Sequence, residues 1–373
     1  MRHVYVHVPF CRRRCSYCDF AIAVRRATPA DAFVSAVRAE HRLRRHAGEW
    51  DADPLETLYL GGGTPSLLPA DAVTAIVAEF LGAEPPLEVS LEANPEDVTP
   101  EAARSWRAAG VTRVSLGVQS FQPAVLEWMH RSHGVSAAAG AVRTLRAAGF
   151  ESVSLDLIFG LPAEVRSNFT ADLDAALGLE PDHLSVYGLT AEPRTPYARW
   201  LERDAVHAIS DEAYAEQFLL AHERLTAAGF EHYEVSNYAR PGHRSRHNSA
   251  YWTGAPYAGL GPSAHRYRLG ERSWNVGAWV EYERRLRHDA DPTAEREILT
   301  PDQRLLERIY LGLRTVNGIE ESVLRHLGVG AFCREAKSSG LLVQSNGRLQ
   351  ATPQGWLKLD EIVTVLTTSV KSG

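Results

Sequence analysis

The chain has 373 residues, of which 45% are hydrophobic and 23% charged, the composition of a soluble globular protein. This length predicts two or three domains, and the formal net charge of -6 argues against nucleic acid as the main partner. No run of about 18 apolar residues occurs, so we expect no transmembrane helix; peripheral membrane contact and the oligomeric state are left open.

Four cysteines occur, and three of them, Cys11, Cys15 and Cys18, lie close together near the amino terminus. A secreted disulfide scaffold would instead carry an even set of cysteines spread along the chain. The clustering, and the lack of an apolar signal core before Cys11, predict a metal site in a protein of the reducing cytoplasm. Cys333 stands alone on a predicted helix, where we expect a small buried hydrophobic residue.

Apolar runs of strand length alternate with helix-length segments in the first half of the chain. The predicted strands cover residues 3–8, 55–60, 87–92, 112–118, 152–158 and 183–189. The predicted helices cover residues 29–46, 69–81, 100–109, 136–148 and 168–177, with a further helical turn or two at 123–129. Such alternation predicts parallel strands joined by right-handed crossovers, in too few units for a closed eight-stranded barrel. We therefore predict an α/β fold based on an open, partial (β/α)6 barrel over residues 1–195.

The remaining residues change in character. We predict an α+β extension over residues 196–295, with a long helix at 211–228, a short strand at 231–237 and a Gly/Pro-containing loop at 257–265. Residues 296–373 are predicted to end the chain in a winged-helix-like module. Its expected elements are helices at 303–313, 320–326 and 332–339, strands at 341–344 and 348–351, and a closing helix at 353–366. Because this segment is not basic, we interpret it as a packing module rather than a DNA-binding one.

The cysteines follow the first predicted strand with the spacing C-x3-C-x2-C. A cubane iron–sulfur cluster needs thiolate ligands, and three of them leave one iron free for an external ligand. S-adenosylmethionine can bind that iron through its amino and carboxylate groups, and one electron can then cleave its C–S bond to give a 5′-deoxyadenosyl radical. We therefore predict a [4Fe–4S] cluster on Cys11, Cys15 and Cys18. The alternatives are structural thiols, or a zinc site completed by His7 or Asp19.

The cysteine motif, with Tyr17 before its last cysteine, resembles that of the radical S-adenosylmethionine superfamily. One branch matches best, formed by the oxygen-independent coproporphyrinogen III oxidases and the HemW-type heme chaperones. The matching segments run in order over the whole predicted barrel and are VYVHVPFC, LGGGTPSLL, SLEANPEDV, VSLGVQSF, MHRSHG, SLDLIFGLP and HLSVYGL.

The resemblance implies roles for individual residues. Tyr5, Gly62 and Glu92 match contacts to the cluster-bound S-adenosylmethionine. Matches to contacts with the nucleoside or a second S-adenosylmethionine are Tyr17, Gly63, Thr64, Gln119, Arg131 and Asp156, and Thr190 matches a backbone contact. Several of these polar residues lie at the carboxyl ends of predicted strands, where ligand contacts belong. Taken singly, each could equally be a polar residue that caps a loop.

Two features separate the oxidases from the chaperones. The oxidases carry a fourth cysteine two residues after the third, and here that position is Phe20. They also carry an amino-terminal extension before the cluster loop, whereas this chain reaches Cys11 after ten residues. Both features are typical of the HemW-type chaperones.

The segment His247-Asn248-Ser249-Ala250-Tyr251-Trp252 resembles the HNxxYW motif of the chaperones. The resemblance implies heme contact by His247, Asn248, Tyr251 and Trp252, because imidazole can ligate heme iron and aromatic rings can pack on a porphyrin. The alternative is a structural turn with the aromatic residues in the core. We expect His265, in the segment GLGPSAH, to be structural or part of a substrate loop.

The resemblance implies a protein that binds heme as cargo and delivers it to apo-hemoproteins, with the cluster, S-adenosylmethionine and an electron donor aiding transfer. The main alternative is an oxidase that decarboxylates two propionates of coproporphyrinogen III to vinyl groups. A third alternative is a radical enzyme that acts on another substrate.

Overall fold

The computed structural model describes residues 1–50, 54–82, 84–325 and 327–368. Its strands are β1 (His3–Val8), β2 (Phe10–Cys11), β3 (Ala23–Val24), β4 (Thr57–Gly62), β5 (Glu88–Ala93), β6 (Arg113–Gln119), β7 (Ser152–Phe159), β8 (His183–Gly188), β9 (Glu231–Glu234), β10 (Asn237–Ala239), β11 (Tyr257–Leu260), β12 (His265–Arg268), β13 (Glu271–Asn275), β14 (Thr293–Ile298), β15 (Ile319–Glu320), β16 (Leu342–Ser345) and β17 (Arg348–Ala351). Its α-helices are α1 (Ala30–His46), α2 (Ala70–Phe80), α3 (Pro100–Ala108), α4 (Pro123–Trp128), α5 (Val135–Ala147), α6 (Phe169–Leu177), α7 (Pro196–Glu202), α8 (Asp211–Ala227), α9 (Arg246–Trp252), α10 (Trp279–Arg287), α11 (Pro301–Leu313), α12 (Glu321–Leu324), α13 (Gly330–Ser338), α14 (Pro353–Leu357) and α15 (Leu359–Thr368).

Six parallel strands form the barrel. They lie in the order β1-β4-β5-β6-β7-β8 within one larger sheet, and each pairs in parallel with the next. The predicted partial (β/α)6 barrel is therefore confirmed. Because parallel strands covered on both faces bury successive side chains, His3 and His7 of β1 are buried as well as Val4, Val6 and Val8.

Capping residues place the crossover helices. The Thr99 hydroxyl accepts a hydrogen bond from the backbone N–H of Ala102 at the start of α3, and Pro100 occupies the first turn. The Asn168 side chain accepts from the backbone N–H of Ala171 in the same way at the start of α6. These ends fix where each helix leaves the carboxyl edge of the sheet.

The sheet extends beyond the barrel at both edges. At one edge, β11 pairs in parallel with β1 and is followed by the antiparallel strands β12, β13 and β14. At the other edge, β10 pairs with β8 and β9 pairs with β10. The prediction of a loop at residues 257–265 was wrong for Tyr257–Leu260, because pairing with β1 outweighs the local glycine signal. The sequence did not predict β12, β13 or β14. The predicted division at residues 195 and 295 stays a prediction.

The carboxyl-terminal elements follow the order of a winged helix. α11 leads into β15, α12 and α13, and the hairpin of β16 and β17 joins β15 in a three-stranded sheet. The predicted closing helix is divided into α14 and α15, and the indole N–H of Trp356 donates to the carbonyl of Leu313, 2.9 Å away. His326, which ends a predicted helix, lies outside the described residues. Cys333 is half-buried on α13 rather than fully buried.

A buried polar network joins α1 to the loop between β11 and β12. The Glu40 carboxylate is fully buried and accepts hydrogen bonds from the Tyr282 hydroxyl at 2.6 Å, the Asn275 amide at 2.8 Å and the Gly261 backbone N–H at 3.0 Å. The Arg44 guanidinium lies 3.1 Å from Glu40 and balances its charge. A buried charge with this many partners fixes the loop against α1.

Among the described residues, no helix is long and apolar enough to cross a membrane.

Candidate functional site

The loop that carries the three clustered cysteines closes over the carboxyl ends of the barrel strands. It leaves β1 through Pro9, and its two ends are joined by the parallel pairing of β2 with β3. The backbone N–H of Ser16 donates to the carbonyl of Met129 at 3.2 Å, which ties the middle of the loop to the end of α4. Cys11, Cys15 and Cys18 all line one cavity of about 420 Å³. The structure thus brings together the cysteines that the sequence predicted.

Two of the cysteine sulfurs accept hydrogen bonds. The Thr64 hydroxyl donates to the Cys11 sulfur at 3.4 Å, and the Arg131 guanidinium donates to the Cys15 sulfur at 3.6 Å. Burial raises the pKa of the Cys18 thiol to about 11 and also raises that of Cys11. Iron would displace these protons, because metal ligation deprotonates a thiol. Hydrogen bonds to the sulfurs are also what tunes an iron–sulfur cluster.

The ligand set fits a cluster better than a single ion. Within the described ranges, no three His, Cys, Asp or Glu side chains are grouped so that they could hold one metal ion. A [4Fe–4S] cluster instead attaches each thiolate to a different iron. Both ring nitrogens of His7, one candidate for zinc, are already engaged, with the Tyr5 hydroxyl at 3.0 Å and the Ala21 carbonyl at 2.9 Å.

The glycine turn after β4 lies directly against the cysteine loop. Gly62 has a φ of +111°, a conformation that L side chains rarely adopt. A Cβ at Gly63 would lie 2.8 Å from the carbonyl oxygen of Phe10 and 2.9 Å from backbone atoms of Pro9 and Val8. Only glycine therefore lets the two backbone segments come this close. A Cβ at Gly61 would lie 2.7 Å from the Tyr59 ring, so all three successive glycines have a structural reason.

Glu92 lies at the carboxyl end of β5, beside the glycine turn. Its carboxylate accepts hydrogen bonds from the Tyr59 hydroxyl at 2.8 Å and from the Gly62 backbone N–H at 3.0 Å. Burial is the main cause that raises the pKa of Glu92 to about 7, and the nearby Asp156 carboxylate adds to it. A cationic ligand in the cavity would reverse this effect by favouring the ionised carboxylate. S-adenosylmethionine, whose sulfonium carries a positive charge, is such a ligand.

Three further predicted residues come from neighbouring strand ends and loops. Gln119 ends β6 with a φ of +68°, where the pairing with β7 is irregular. Asp156 accepts a hydrogen bond from the Ser115 hydroxyl at 2.9 Å, and burial raises its pKa. The Arg131 guanidinium donates hydrogen bonds to the Asn94 side chain at 2.6 Å and to the Gly117 carbonyl at 2.7 Å. Arg131 therefore connects the ends of β5 and β6 to the cysteine loop.

The predicted S-adenosylmethionine contacts meet in one place, with a single exception. The residues that line the cavity with the cysteines are Tyr17, Gly62, Gly63, Thr64, Glu92, Gln119, Arg131, Asp156 and Thr190. Tyr5 instead lines the neighbouring, larger cavity, and its ring centroid lies 6.0 Å from that of Tyr59. The cavity also includes Asn94, Ser115 and Tyr187, which sequence reasoning missed. For Asn94 and Tyr187, a position at or just past a strand end was the available signal, whereas Ser115 lies within β6.

The HNxxYW segment forms α9, which is capped by the Ser245 hydroxyl accepting from the Asn248 backbone N–H. His247 is only 1% exposed, and its ring nitrogens contact the Thr57 hydroxyl at 2.8 Å and the Tyr251 hydroxyl at 2.9 Å. Burial lowers the pKa of His247 to about 3. Tyr251 and Trp252 line the larger cavity, whereas His247 and Asn248 are not among its lining residues.

Known proteins resemble the chain over nearly its whole length. The radical SAM superfamily model matches residues 5–176, and the HemN C-terminal domain model matches residues 299–357. The protein named heme chaperone HemW in Mycobacterium tuberculosis is 40% identical over 377 residues, covering 97% of this chain and 94% of the relative. The chain belongs to the HemW family. The HemW protein of Synechocystis sp. is 38% identical over 328 residues, covering 84% of this chain and 78% of the relative.

A solved structure has the same fold as this chain. Coproporphyrinogen III oxidase (HemN) from Escherichia coli, a radical SAM enzyme, matches with a TM-score of 0.79 at 21% identity. The match covers 99% of this chain and 89% of that one. Membership in the radical SAM superfamily confirms the predicted cofactors, a [4Fe–4S] cluster and S-adenosylmethionine.

Replacing Gly63 by alanine tests the contact between the glycine turn and the cysteine loop. The added Cβ would meet only backbone atoms of residues 8–10, so the loop must move away from the turn. We expect Gly63→Ala to lose most of its cluster, measured as iron and sulfide per chain after anaerobic reconstitution. Gly140→Ala is the matched control, because its Cβ would meet nothing within 4 Å. Equal cluster content in both variants would contradict this prediction.

Glu92 predicts a pH-dependent affinity for S-adenosylmethionine. Its pKa is raised to about 7, so the carboxyl is mostly neutral at pH 6 and mostly ionised at pH 8. If the anion favours the cationic cofactor, the association constant should rise about tenfold over this range. Anaerobic equilibrium dialysis of the cluster-loaded protein measures it. Glu92→Gln should bind weakly with no such rise, and an identical rise in that variant would rule out Glu92 as its source.

Proposed function

We propose that this chain is a heme chaperone, which binds heme as cargo and delivers it to apo-hemoproteins. Two relatives at 38% and 40% identity carry the name heme chaperone HemW. The structural observation that carries the proposal is a second cavity of about 1110 Å³, which shares the lining residues Asp19 and Phe20 with the cluster cavity. A molecule bound in the larger cavity would therefore lie next to the cluster loop.

The walls of this second cavity suit a flat, mainly apolar ligand with charged edges. Aromatic rings come from Tyr251 and Trp252 on α9 and from Tyr257 on β11, and arginines come from β13 and α11. Aromatic faces pack on a porphyrin ring, and guanidinium groups bind carboxylates such as propionates. The indole N–H of Trp252 is buried without a hydrogen-bond partner among the described residues. We assign His247 the role of holding Tyr251 in place, since both its ring nitrogens are engaged.

Phe20 favours the chaperone over the oxidase alternative. Its side chain is 55% exposed, and it lies where the two cavities adjoin. At this position the oxidases carry a cysteine, as the sequence comparison indicated, and here the side chain has no thiol. An exposed aromatic ring beside the larger cavity instead adds apolar surface for a bound macrocycle.

The residues around the cluster loop have separate tasks. When bound, the cluster would supply one electron for the cleavage of S-adenosylmethionine. Thr64 and Arg131 donate hydrogen bonds to the Cys11 and Cys15 sulfurs and would hold them in position. Glu92 would bind the cationic end of the cofactor. An external electron donor must reduce the cluster. Free thiols clustered in one loop are typical of proteins in the reducing cytoplasm.

A heme titration distinguishes the proposed function from the alternatives. We expect the anaerobically reconstituted protein to bind one heme per chain and to transfer it to apomyoglobin, followed by the Soret band of the acceptor. Trp252→Ala should weaken heme binding several-fold through lost stacking area. Trp200→Ala is the matched control, because Trp200 packs on Trp128 outside this cavity.

The oxidase alternative predicts a different result for the same reconstituted protein. It requires conversion of coproporphyrinogen III to protoporphyrinogen IX under anaerobic conditions, with S-adenosylmethionine and a reductant present. Conversion at enzymatic rates, or failure to bind heme, would overturn the chaperone proposal.

A further inference from the structure

Two histidines line the larger cavity within the described part of the chain, His7 and His265. The ring nitrogens of His7 are both engaged, by the Tyr5 hydroxyl and the Ala21 carbonyl. His247, from the HNxxYW segment, is buried away from the cavity with both nitrogens engaged as well. None of these engaged nitrogens is available to ligate a metal without breaking an internal hydrogen bond. His265 is the remaining imidazole.

His265 begins β12 and is exposed to the cavity. Its ring stacks on Trp274, with 5.3 Å between centroids and 24° between planes. Among the described residues, neither ring nitrogen has a hydrogen-bond partner. Burial, followed by the positive charge of Arg272, lowers the pKa of His265, which favours the neutral ring that binds metals.

The backbone that carries His265 is held rigidly. A Cβ at Gly259 would lie 1.8 Å from the His265 carbonyl oxygen, so β11 and β12 come together as only glycine allows. The Asn275 amide donates to the Gly261 carbonyl at 2.9 Å, and the Asn275 backbone N–H donates to Ala264 at 3.1 Å. The buried Glu40 network anchors the same loop. A metal ligand needs such support to keep its orientation.

The cavity lining also contains several arginines, and most of their charges are already paired. Arg272 contacts Glu307 at 2.6 Å and Glu297 at 3.0 Å. Arg308 and Arg348 both approach Glu320, at 3.7 Å and 3.5 Å. Arg244 pairs with Glu231 at 2.9 Å, and Asp19 adds a further acidic group to the lining.

Arg304, on the exposed surface of α11, differs from these arginines. It lines the same cavity, and its guanidinium makes no ion pair or hydrogen bond within the described ranges. An unpaired guanidinium presents a fork of donors that matches a carboxylate.

We infer that heme binds in this cavity with His265 as its iron ligand and with a propionate on Arg304, an assignment that rests on the function proposed above. The Nε2 or Nδ1 lone pair of His265 forms a coordination bond to the iron, and nothing is oxidised or reduced in this step. The aromatic residues of α9 then contact the macrocycle. The HNxxYW histidine shapes the cavity wall and does not bind the iron.

The test is a titration of ferric heme into the cluster-loaded protein, read by its absorption spectrum. We expect His265→Ala to bind heme at least about tenfold more weakly, since one coordination bond is lost, and to lose the spectrum of a histidine ligand. Added imidazole should restore that spectrum. His288→Ala is the matched control, because His288 is an exposed histidine on the far end of α10 that bonds only the Arg284 carbonyl.

Arg304→Gln gives a second, independent test on an exposed position that the fold tolerates. We expect this variant to bind heme about tenfold more weakly, whereas its affinity for heme dimethyl ester should equal that of the native protein. Unchanged affinity and spectrum in His265→Ala would overturn the ligand assignment and leave the proposed function standing. If the native protein binds no heme, both fail together.

Discussion

Three thiols from one short loop must meet an iron–sulfur cluster at the carboxyl edge of a parallel sheet, and the surrounding backbone is arranged around that requirement. Pairing of β2 with β3 closes the loop, and the Ser16 backbone ties it to α4. Gly63 lets the turn after β4 press against the backbone of residues 8–10. Because only three sulfurs are supplied, one iron keeps an open position for the cofactor.

The rest of the cofactor cavity complements the charge of what binds there. Glu92 and Asp156 are buried carboxyl groups whose pKa values are raised by that burial. Arg131 is committed to Asn94, Gly117 and the Cys15 sulfur. A cationic ligand would therefore favour the ionised form of both carboxyl groups. Arg131 stabilises the Cys15 thiolate in the same cavity.

The barrel could be predicted from the sequence because its strands carry apolar residues at alternate positions over the length of a strand. Val4, Val6 and Val8 alternate with polar residues and still lie in a covered parallel strand, which the cysteine motif then locates as the first. The added strands could not be predicted in this way. β11 carries a glycine and follows a proline, and its pairing with β1 depends on residues more than 200 positions away. Short polar strands such as β12 and β14 have no comparable local signal.

The site residues likewise divide into those that could be predicted from the sequence and those that could not. Residues in the carboxyl-terminal halves of barrel strands, such as Glu92 and Asp156, line the cavity where periodicity and topology predicted them. The environments of Tyr5 and His247 could not be predicted in this way. They depend on which face of the sheet each side chain occupies and on the residues that it contacts there. The sequence motif predicts that His247 contacts heme. Its hydrogen bonds with Thr57 and Tyr251, which engage both ring nitrogens, are evident only from the structure.

The measurement that tests the account most directly is the iron content and colour of the native protein and of a variant with Cys11, Cys15 and Cys18 all replaced by alanine. After anaerobic reconstitution, the native protein should hold about four irons per chain with a brown chromophore, and the variant should hold neither. A colourless native protein, or a variant that keeps the chromophore, would contradict the account.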